Sequence, residues 1–258
     1  MNRWKSIQRI RNKLKEGRVS LGSWMQIPST DVAEVMGYAG YDWVAVDLEH
    51  GSIGTQQLPD IFRALELGGT LPLVRIEEGQ PGHCKNALDA GAAGVIVPMV
   101  RDKEQIDLVR SACCWPPAGN RGVGFSRANL FGKHFEDYFS ESQAPILVAQ
   151  IEHIHAIQNI ADILSSGSVD AVFVGPYDLS ASMGLTGKLD HPEVESALKS
   201  LAESCKKRNV ATGIHVVKPN RTELDCRLKQ GYQFVAYSID AVFLHSSSLC
   251  PSPSDFVQ

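Results

Sequence analysis

The chain has 258 residues, and nowhere does it approach the roughly 18 to 20 consecutive apolar residues needed to cross a bilayer. A membrane-spanning helix is therefore excluded. Charge of one sign is also scarce: 25 Lys and Arg stand against 29 Asp and Glu, interspersed, for a net charge of −4. That leaves no footprint for nucleic acid or an anionic membrane surface. None of the six cysteines (Cys84, Cys113, Cys114, Cys205, Cys226, Cys250) stands in a Cys-x-x-Cys pair, and sequence neighbours such as Cys113 and Cys114 rarely bridge. They read as reduced, mostly buried thiols of a cytoplasmic protein. No Gly-x-Gly-x-x-Gly follows the first apolar run, so the dinucleotide-binding fingerprint is missing.

The opening MNRWKSIQRIRNKLKEG is basic and amphipathic, without an apolar signal core. Its shortage of acids before Glu16 is a trait of transit peptides, but an apolar core follows at once. Residues 1–20 read as a surface helix leading into the first strand.

Apolar runs of strand length then alternate with segments of helical spacing. The strand candidates are 21–26, 43–49, 71–76, 94–100, 145–152, 169–175, 211–217 and 234–239. Helix starts are marked by Ser29-Thr30-Asp31, Asp102 and His191-Pro192-Glu193, and helix ends by glycine in YAGYDW, DAGAAGV and KQGYQF. Strand and helix alternating in this way predict a parallel sheet covered by helices, and eight such units close into a (β/α)8 TIM barrel in one domain spanning 1–258. An open doubly wound sheet is the competing arrangement. One segment breaks the rhythm: residues 115–144, glycine-rich and aromatic, form a connection between strands four and five so long that it reads as a functional loop.

Barrel chemistry sits at the C-terminal ends of strands. The second run ends in Asp47, Glu49 and His50, the third carries Arg75, the fifth ends in Gln150 and Glu152, and the sixth enters Gly175-Pro176-Tyr177-Asp178. Each has a plainer reading: Glu152 as a helix N-terminal charge, Asp178 as an N-cap, Arg75 as a surface ion-pair partner, His50 as a loop residue. Together on one rim they form a site. Glu152 and Asp178 are oxygen donors suited to Mg²⁺ or Mn²⁺, with Co²⁺ as a further candidate. Arg75 offers a fixed cation for enolate charge and His50 a base that titrates near neutrality. Asp47, three residues before His50, is placed to orient its imidazole. His153 and His155 read as partly exposed, and His215 as a satisfied wall residue of strand seven.

In these motifs the chain resembles the metal-dependent (class II) pyruvate aldolases of the HpcH/HpaI group, in the phosphoenolpyruvate/pyruvate barrel superfamily. The resemblance runs from about Leu21 to Asp240 through GSWMQIPSTDVAEVMGYAGYDWVAVDLEH, PLVRI, GVIVPMV, WPPAGNRGVG, QIE, VFVGPYDLSASMG and HPEV. It implies a divalent metal on Glu152 and Asp178, pyruvate chelated to it, Arg75 stabilising the enolate, and His50 with Asp47 behind it in acid/base steps. It further implies that backbone N–H groups of Gly175 and Tyr177 bind the pyruvate carboxylate, with Gln150 in the same pocket. The implied reaction is reversible cleavage of a 4-hydroxy-2-keto acid, such as 2,4-dihydroxyhept-2-ene-1,7-dioate or a 2-keto-3-deoxy sugar acid, to pyruvate and an aldehyde. The implied assembly is a hexamer, a trimer of dimers, with the last helix swapped between subunits.

The chain departs from the family pattern at Ile76-Glu77-Glu78 and at Gly51-Ser52-Ile53, near the aldehyde side of the mouth. Arg121, Phe125, Ser126 and Arg127 of the long segment are candidates for a distal carboxylate or phosphate, or for packing. Two other readings stand beside the aldolase: a lyase or synthase acting on a citrate-like or malate-like substrate, and a non-catalytic barrel that binds a keto acid.

Overall fold

The structure, a computed structural model, describes residues 2–250. The helix α1 (Arg3–Lys15) precedes β1 (Ser20–Met25), α2 (Thr30–Tyr38), β2 (Trp43–Asp47), α3 (Leu58–Leu67), β3 (Leu71–Arg75), α4 (Pro81–Asp89), β4 (Gly94–Val97) and α5 (Lys103–Cys113). After α6 (Phe135–Gln143) come β5 (Ile146–Ile151), α7 (Ile154–Gln158), α8 (Ile160–Ser165), β6 (Ala171–Val174) and α9 (Pro176–Ser182). The chain continues through α10 (Pro192–Arg208), β7 (Ala211–Val216), α11 (Arg221–Lys229), β8 (Phe234–Ile239) and α12 (Asp240–Ser247). The strands pair in parallel, in sequence order, and β8 closes on β1: a (β/α)8 barrel, not an open sheet.

Ser29, Asp102 and His191 cap α2, α5 and α10 by accepting from backbone N–H groups, as their sequence positions predict. Gly40, Gly91 and Gly231 take positive φ just past their helices. Strand parity sorts the side chains. Trp24, Trp43, Ala45, Leu73, Ile96, Val148, Phe173 and Ala236 form one buried cluster inside the barrel, while Val44, Val46, Val74 and Val95 join the cluster beneath the helices.

Two expectations need correction. Helix α1 is not a surface lead-in, because Ile7 and Ile10 are buried to within 1% and pack with Trp43, Leu71, Ile146, Ala171, Ala211 and Phe234 at the starts of six strands. It plugs the N-terminal mouth. Bidentate Arg11 on Asp170 and Lys13 on Asp42 fasten it there. The 115–144 segment is not a loop over the catalytic rim. It follows a helix and precedes a strand, so it emerges on the same N-terminal side, where Arg3 of α1 donates to the Ala128 carbonyl at 2.8 Å and pairs with Glu141. It also contains α6, and its candidate cations serve packing: Arg127 pairs with Glu66 at 2.6 Å, and buried Arg121 donates to the Tyr138 hydroxyl at 2.8 Å beside the Trp115 ring.

At the N-terminal end of the interior, Trp43 stacks flat on Phe234 with centroids 4.2 Å apart, and a Cβ built on Gly22 would overlap the Trp43 indole. Replacing Gly22 with Ala is expected to cost about 2–3 kcal/mol of unfolding free energy, read as a lowered urea midpoint with unchanged slope. A wild-type midpoint would show that the indole has room to move.

Candidate active site

With α1 closing one mouth, the open end of the barrel is the C-terminal one. Register brings its first pair together, because Asp47 ends β2 directly beside Arg75, which ends β3. Asp47 is fully buried and takes Arg75 as a fork, Nε to Oδ1 at 2.8 Å and Nη2 to Oδ2 at 2.5 Å. Gln26 Nε2 donates to Oδ2 at 2.8 Å, and the backbone N–H groups of Glu49 and His50 donate to Oδ1. Burial alone would push the Asp47 carboxyl up; the Arg75 hydrogen bonds and charge, with Gln26, outweigh it and hold it below the usual range.

The expected contact between Asp47 and the His50 imidazole is thus corrected. Asp47 meets His50 only through its backbone N–H, since its acceptor positions are taken by Arg75 and Gln26, and the His50 side chain is exposed.

Arg75 is held from two further directions. Glu49 pairs with Nη1 at 2.9 Å, and the guanidinium lies over the Trp24 ring at 5.1 Å. Trp24, at the end of β1, was not among the sequence candidates. Its signal was inward parity at a strand's C-terminal end.

Across the mouth, Gln150 and Glu152 point inward from β5 and are 4% and 2% exposed. Glu152 Oε2 accepts from Gln150 Nε2 at 2.5 Å and Oε1 from the Met99 N–H at 2.7 Å. Met99 adopts φ 52, a left-handed conformation in the β4–α5 connection that turns its N–H onto the carboxylate. Such strain typically costs about 1–3 kcal/mol and concentrates at functional sites. No sequence pattern marks it. Burial pushes Glu152 and Glu49 up, against hydrogen bonds to Glu152 and the charge of Arg75 on Glu49, and repulsion from Asp178 adds to both. Asp178 and Tyr177 are exposed in the first turn of α9, after Gly175.

The donor set fits a hard divalent cation. Asp47, Glu49, Glu152 and Asp178 gather at one mouth with one guanidinium, and burial, with a smaller repulsion among the acids, raises Glu49 and Glu152, so a dication here relieves an excess of negative charge. A Cβ on Gly175 would stand 2.5 Å from Glu152 Oε2, so glycine leaves that oxygen open on one side. Among the described residues no group of three or more His, Cys, Asp or Glu is placed to hold an ion. The pair Glu152 and Asp178 would therefore leave coordination positions to water and substrate oxygens.

His215 completes the ring of inward groups. It lies on β7 above Ala211 and Gly213, tilts against Trp24 with centroids 5.1 Å apart, and its Nε2 meets the Ser238 carbonyl at 3.1 Å. Ser238 sits at φ 57 beside the irregular β1–β8 pairing, and Ser23 Oγ, which donates to the Tyr237 carbonyl at 2.8 Å, lies 3.3 Å from the Ser238 carbonyl. Burial pushes the His215 imidazole down to about 4, against the Ser238 hydrogen bond.

Residues 20–246 match the profile described as "HpcH/HpaI aldolase/citrate lyase". The chain belongs to that family. It is 34% identical over 238 residues to a hydroxypyruvate/pyruvate aldolase of Roseobacter denitrificans, covering 91% of this chain and 92% of the relative. It is 35% identical over the same length, with the same coverage, to a 2-dehydro-3,6-dideoxy-6-sulfogluconate aldolase of Pseudomonas putida. A solved HpcH/HpaI aldolase/citrate lyase family protein of Burkholderia cenocepacia superposes with a TM-score of 0.86 at 29% identity, covering 93% of this chain and 96% of that one.

Two outcomes are expected from this geometry. Gly175→Ala should weaken Mn²⁺ binding, followed by electron paramagnetic resonance, by about tenfold or more while leaving the far-ultraviolet circular dichroism unchanged. Unaltered Mn²⁺ affinity would remove Glu152 from the metal site. Separately, His215 has a folded value of about 4, below the ordinary 6.5, so the unfolded chain binds more protons between them. Its contribution is present above 6.5 and lost as pH falls toward 4, up to about 3 kcal/mol. Urea midpoints should fall less steeply over that window in His215→Phe than in wild type; parallel curves would contradict the burial of a neutral imidazole.

Proposed function

We propose that the chain is a metal-dependent aldehyde-lyase that reversibly cleaves a 4-hydroxy-2-keto acid to pyruvate, or another short 2-keto acid, and an aldehyde. The observation that carries this reading is the guanidinium of Arg75, locked by Asp47 on a barrel mouth that also presents Glu152 and Asp178. Membership in the family supports it, as do relatives named as aldolases of keto acids. Glu152 and Asp178 would hold Mg²⁺ or Mn²⁺, which supplies Lewis-acid polarisation of the keto oxygen and the charge to bind a 2-keto carboxylate.

The chain's own groups do the rest. In cleavage the C3–C4 bond breaks, its electron pair passes toward the keto oxygen, and the C4 hydroxyl loses its proton. His50, exposed beyond β2, takes that proton as general base. The part of the Arg75 fork not engaged by Asp47 and Glu49 faces the developing oxygen charge, preorganised by the Trp24 ring and the Asp47 clamp. Asp47 positions Arg75 and, through its backbone bonds, the turn that carries His50. Gln150 orients Glu152, and the N–H group of Tyr177 in the first turn of α9 receives the substrate carboxylate, while that of Gly175, the other expected donor, is spent on the Ile151 carbonyl at 3.2 Å. C3 then takes a proton to give the pyruvate methyl group.

The protein is further proposed to act in the cytoplasm as a homo-oligomer, a hexamer with α12 exchanged between subunits. Leu244 on α12 is 60% exposed in the single chain, which supports such an exchange. Among the described residues no helix is long and apolar enough to cross a membrane.

Exchange of pyruvate methyl protons with solvent deuterium, followed by nuclear magnetic resonance, isolates the enolisation half-reaction. Metal-stripped protein should exchange only after addition of Mg²⁺ or Mn²⁺, Glu152→Ala should abolish exchange, and Arg75→Lys should slow it by about 10²-fold. Absence of exchange with every divalent metal tried would overturn the assignment.

A further inference from the structure

The groups that grip a keto acid come from β3, β5 and β6. Continuing around the ring, β7 and β1 contribute His215 and Trp24, whose rings tilt against each other, and Trp24 lies against the same guanidinium. The Nε2 of His215 is committed to the Ser238 carbonyl, which can only accept, so Nε2 carries the hydrogen. Nδ1 is then a bare lone pair. Among the described residues no group donates to it, and it is not among the polar atoms sealed from solvent without a partner. The imidazole is partly exposed, packed on Trp24 and close enough to Phe173 for ring contact at 6.4 Å. Its remaining open edge faces the mouth.

We propose that His215 is a specificity-determining residue whose Nδ1 accepts a hydrogen bond from a hydroxyl on the aldehyde half of the substrate, selecting hydroxyaldehydes over their deoxy counterparts. The inference rests on the aldolase reading. The neutral end of a substrate whose acid end is fixed by Glu152, Asp178 and Arg75 is placed toward the β7–β1 side of the rim, where His215 and Trp24 stand. There the indole of Trp24 covers C–H groups, and Nδ1 offers the acceptor that distinguishes a hydroxyl from a hydrogen. A site built to accept a hydroxyl proton leaves a desolvated lone pair unpaired when the hydroxyl is missing, and discrimination comes from that loss.

The test compares glycolaldehyde with acetaldehyde as acceptors for pyruvate in the presence of Mn²⁺, reading the ratio of kcat/KM within each protein. Hydroxylation itself alters aldehyde reactivity, but that contribution cancels when the ratio is compared between variants. His215→Phe keeps a ring against Trp24 and removes the acceptor. The glycolaldehyde preference should fall about three- to tenfold, the worth of one neutral hydrogen bond. His215→Asn places Oδ1 near the former Nδ1 and should retain most of it. An unchanged ratio in the Phe variant, or equal loss in Phe and Asn, overturns the proposal. If the Phe variant does not fold, ¹⁵N-histidine spectra of wild type decide: the unprotonated Nδ1 resonance of His215 should move upfield on adding the pyruvate–glycolaldehyde aldol, and a stationary resonance counts against it. Deuterium exchange into pyruvate by wild type is run alongside. Its absence removes the aldolase reading and this proposal together, whereas exchange with an unchanged ratio removes His215 alone.

Discussion

The rim is organised by one buried ion pair. Asp47 has no exposed surface and the Arg75 side chain is 11% exposed, so both charges have lost most of their hydration, a cost that their mutual attraction offsets only with good geometry. The geometry is supplied by β2–β3 register, which sets the two Cα atoms side by side, and by Gln26, which donates to the second carboxylate oxygen. Gln26 is itself tied down: its backbone N–H and that of Ile27 each donate to Asp240, at the start of α12, at 2.9 Å. Asp47 thereby joins β2, β3 and the end of β1, and a second carboxylate, Asp240, adds the end of β8. Against its burial, the hydrogen bonds and charge of Arg75, with Gln26, hold the Asp47 carboxyl below its usual range and occupy its oxygens. The proposed acid/base role therefore goes to the exposed imidazole of His50.

The second constraint is charge balance. Arg75 is largely neutralised by Asp47 and Glu49, which leaves Glu152 and Asp178 without a cation of their own. Burial raises Glu49 and Glu152 first, and repulsion among the neighbouring acids adds to that imbalance. A dication resolves it more completely than protonation, because it also gives the open side of Glu152 Oε2 beside Gly175 an occupant. The same sites then invite a substrate with adjacent oxygen donors. Membership in the HpcH/HpaI family agrees with this electrostatic reading.

Much of this was legible in the sequence, for identifiable reasons. Buried strands leave continuous apolar runs, and polar residues that interrupt them at a C-terminal end, such as Asp47, Arg75 and Glu152, stand out. The 115–144 segment misled because length was read before topology. Lying between helix and strand, it had to emerge at the N-terminal face with α1. The partner of Asp47 was hidden for another reason: sequence proximity favoured His50, three residues on, whereas sheet register delivered Arg75, twenty-eight residues away. Met99 was beyond reach, because its contribution is a backbone N–H aimed by an unusual φ, and no side-chain type announces that. His215 read as wall and Trp24 drew no reading at all. Only barrel closure brings β7 and β1 together, with His215 against Trp24 and Trp24 against Arg75.

The division between strand-borne and connection-borne groups bears on how such a site diversifies. Asp47, Arg75, Gln150 and Glu152 are on strands or one residue past them and are nearly or fully buried, so a change at any of them disturbs several hydrogen bonds at once. His50, Tyr177 and Asp178 stand on connections, exposed, and their placement depends on backbone held by the buried set. Substrate discrimination has to arise where a side chain changes without breaking that network. The β7 position of His215 qualifies, because its ring contacts are with Trp24 and Phe173 rather than with the acids. Relatives at about one-third identity carry the names of different keto-acid substrates over nearly the full chain. A fixed acid-binding half joined to a replaceable β7–β1 sector is a physical route to that variety.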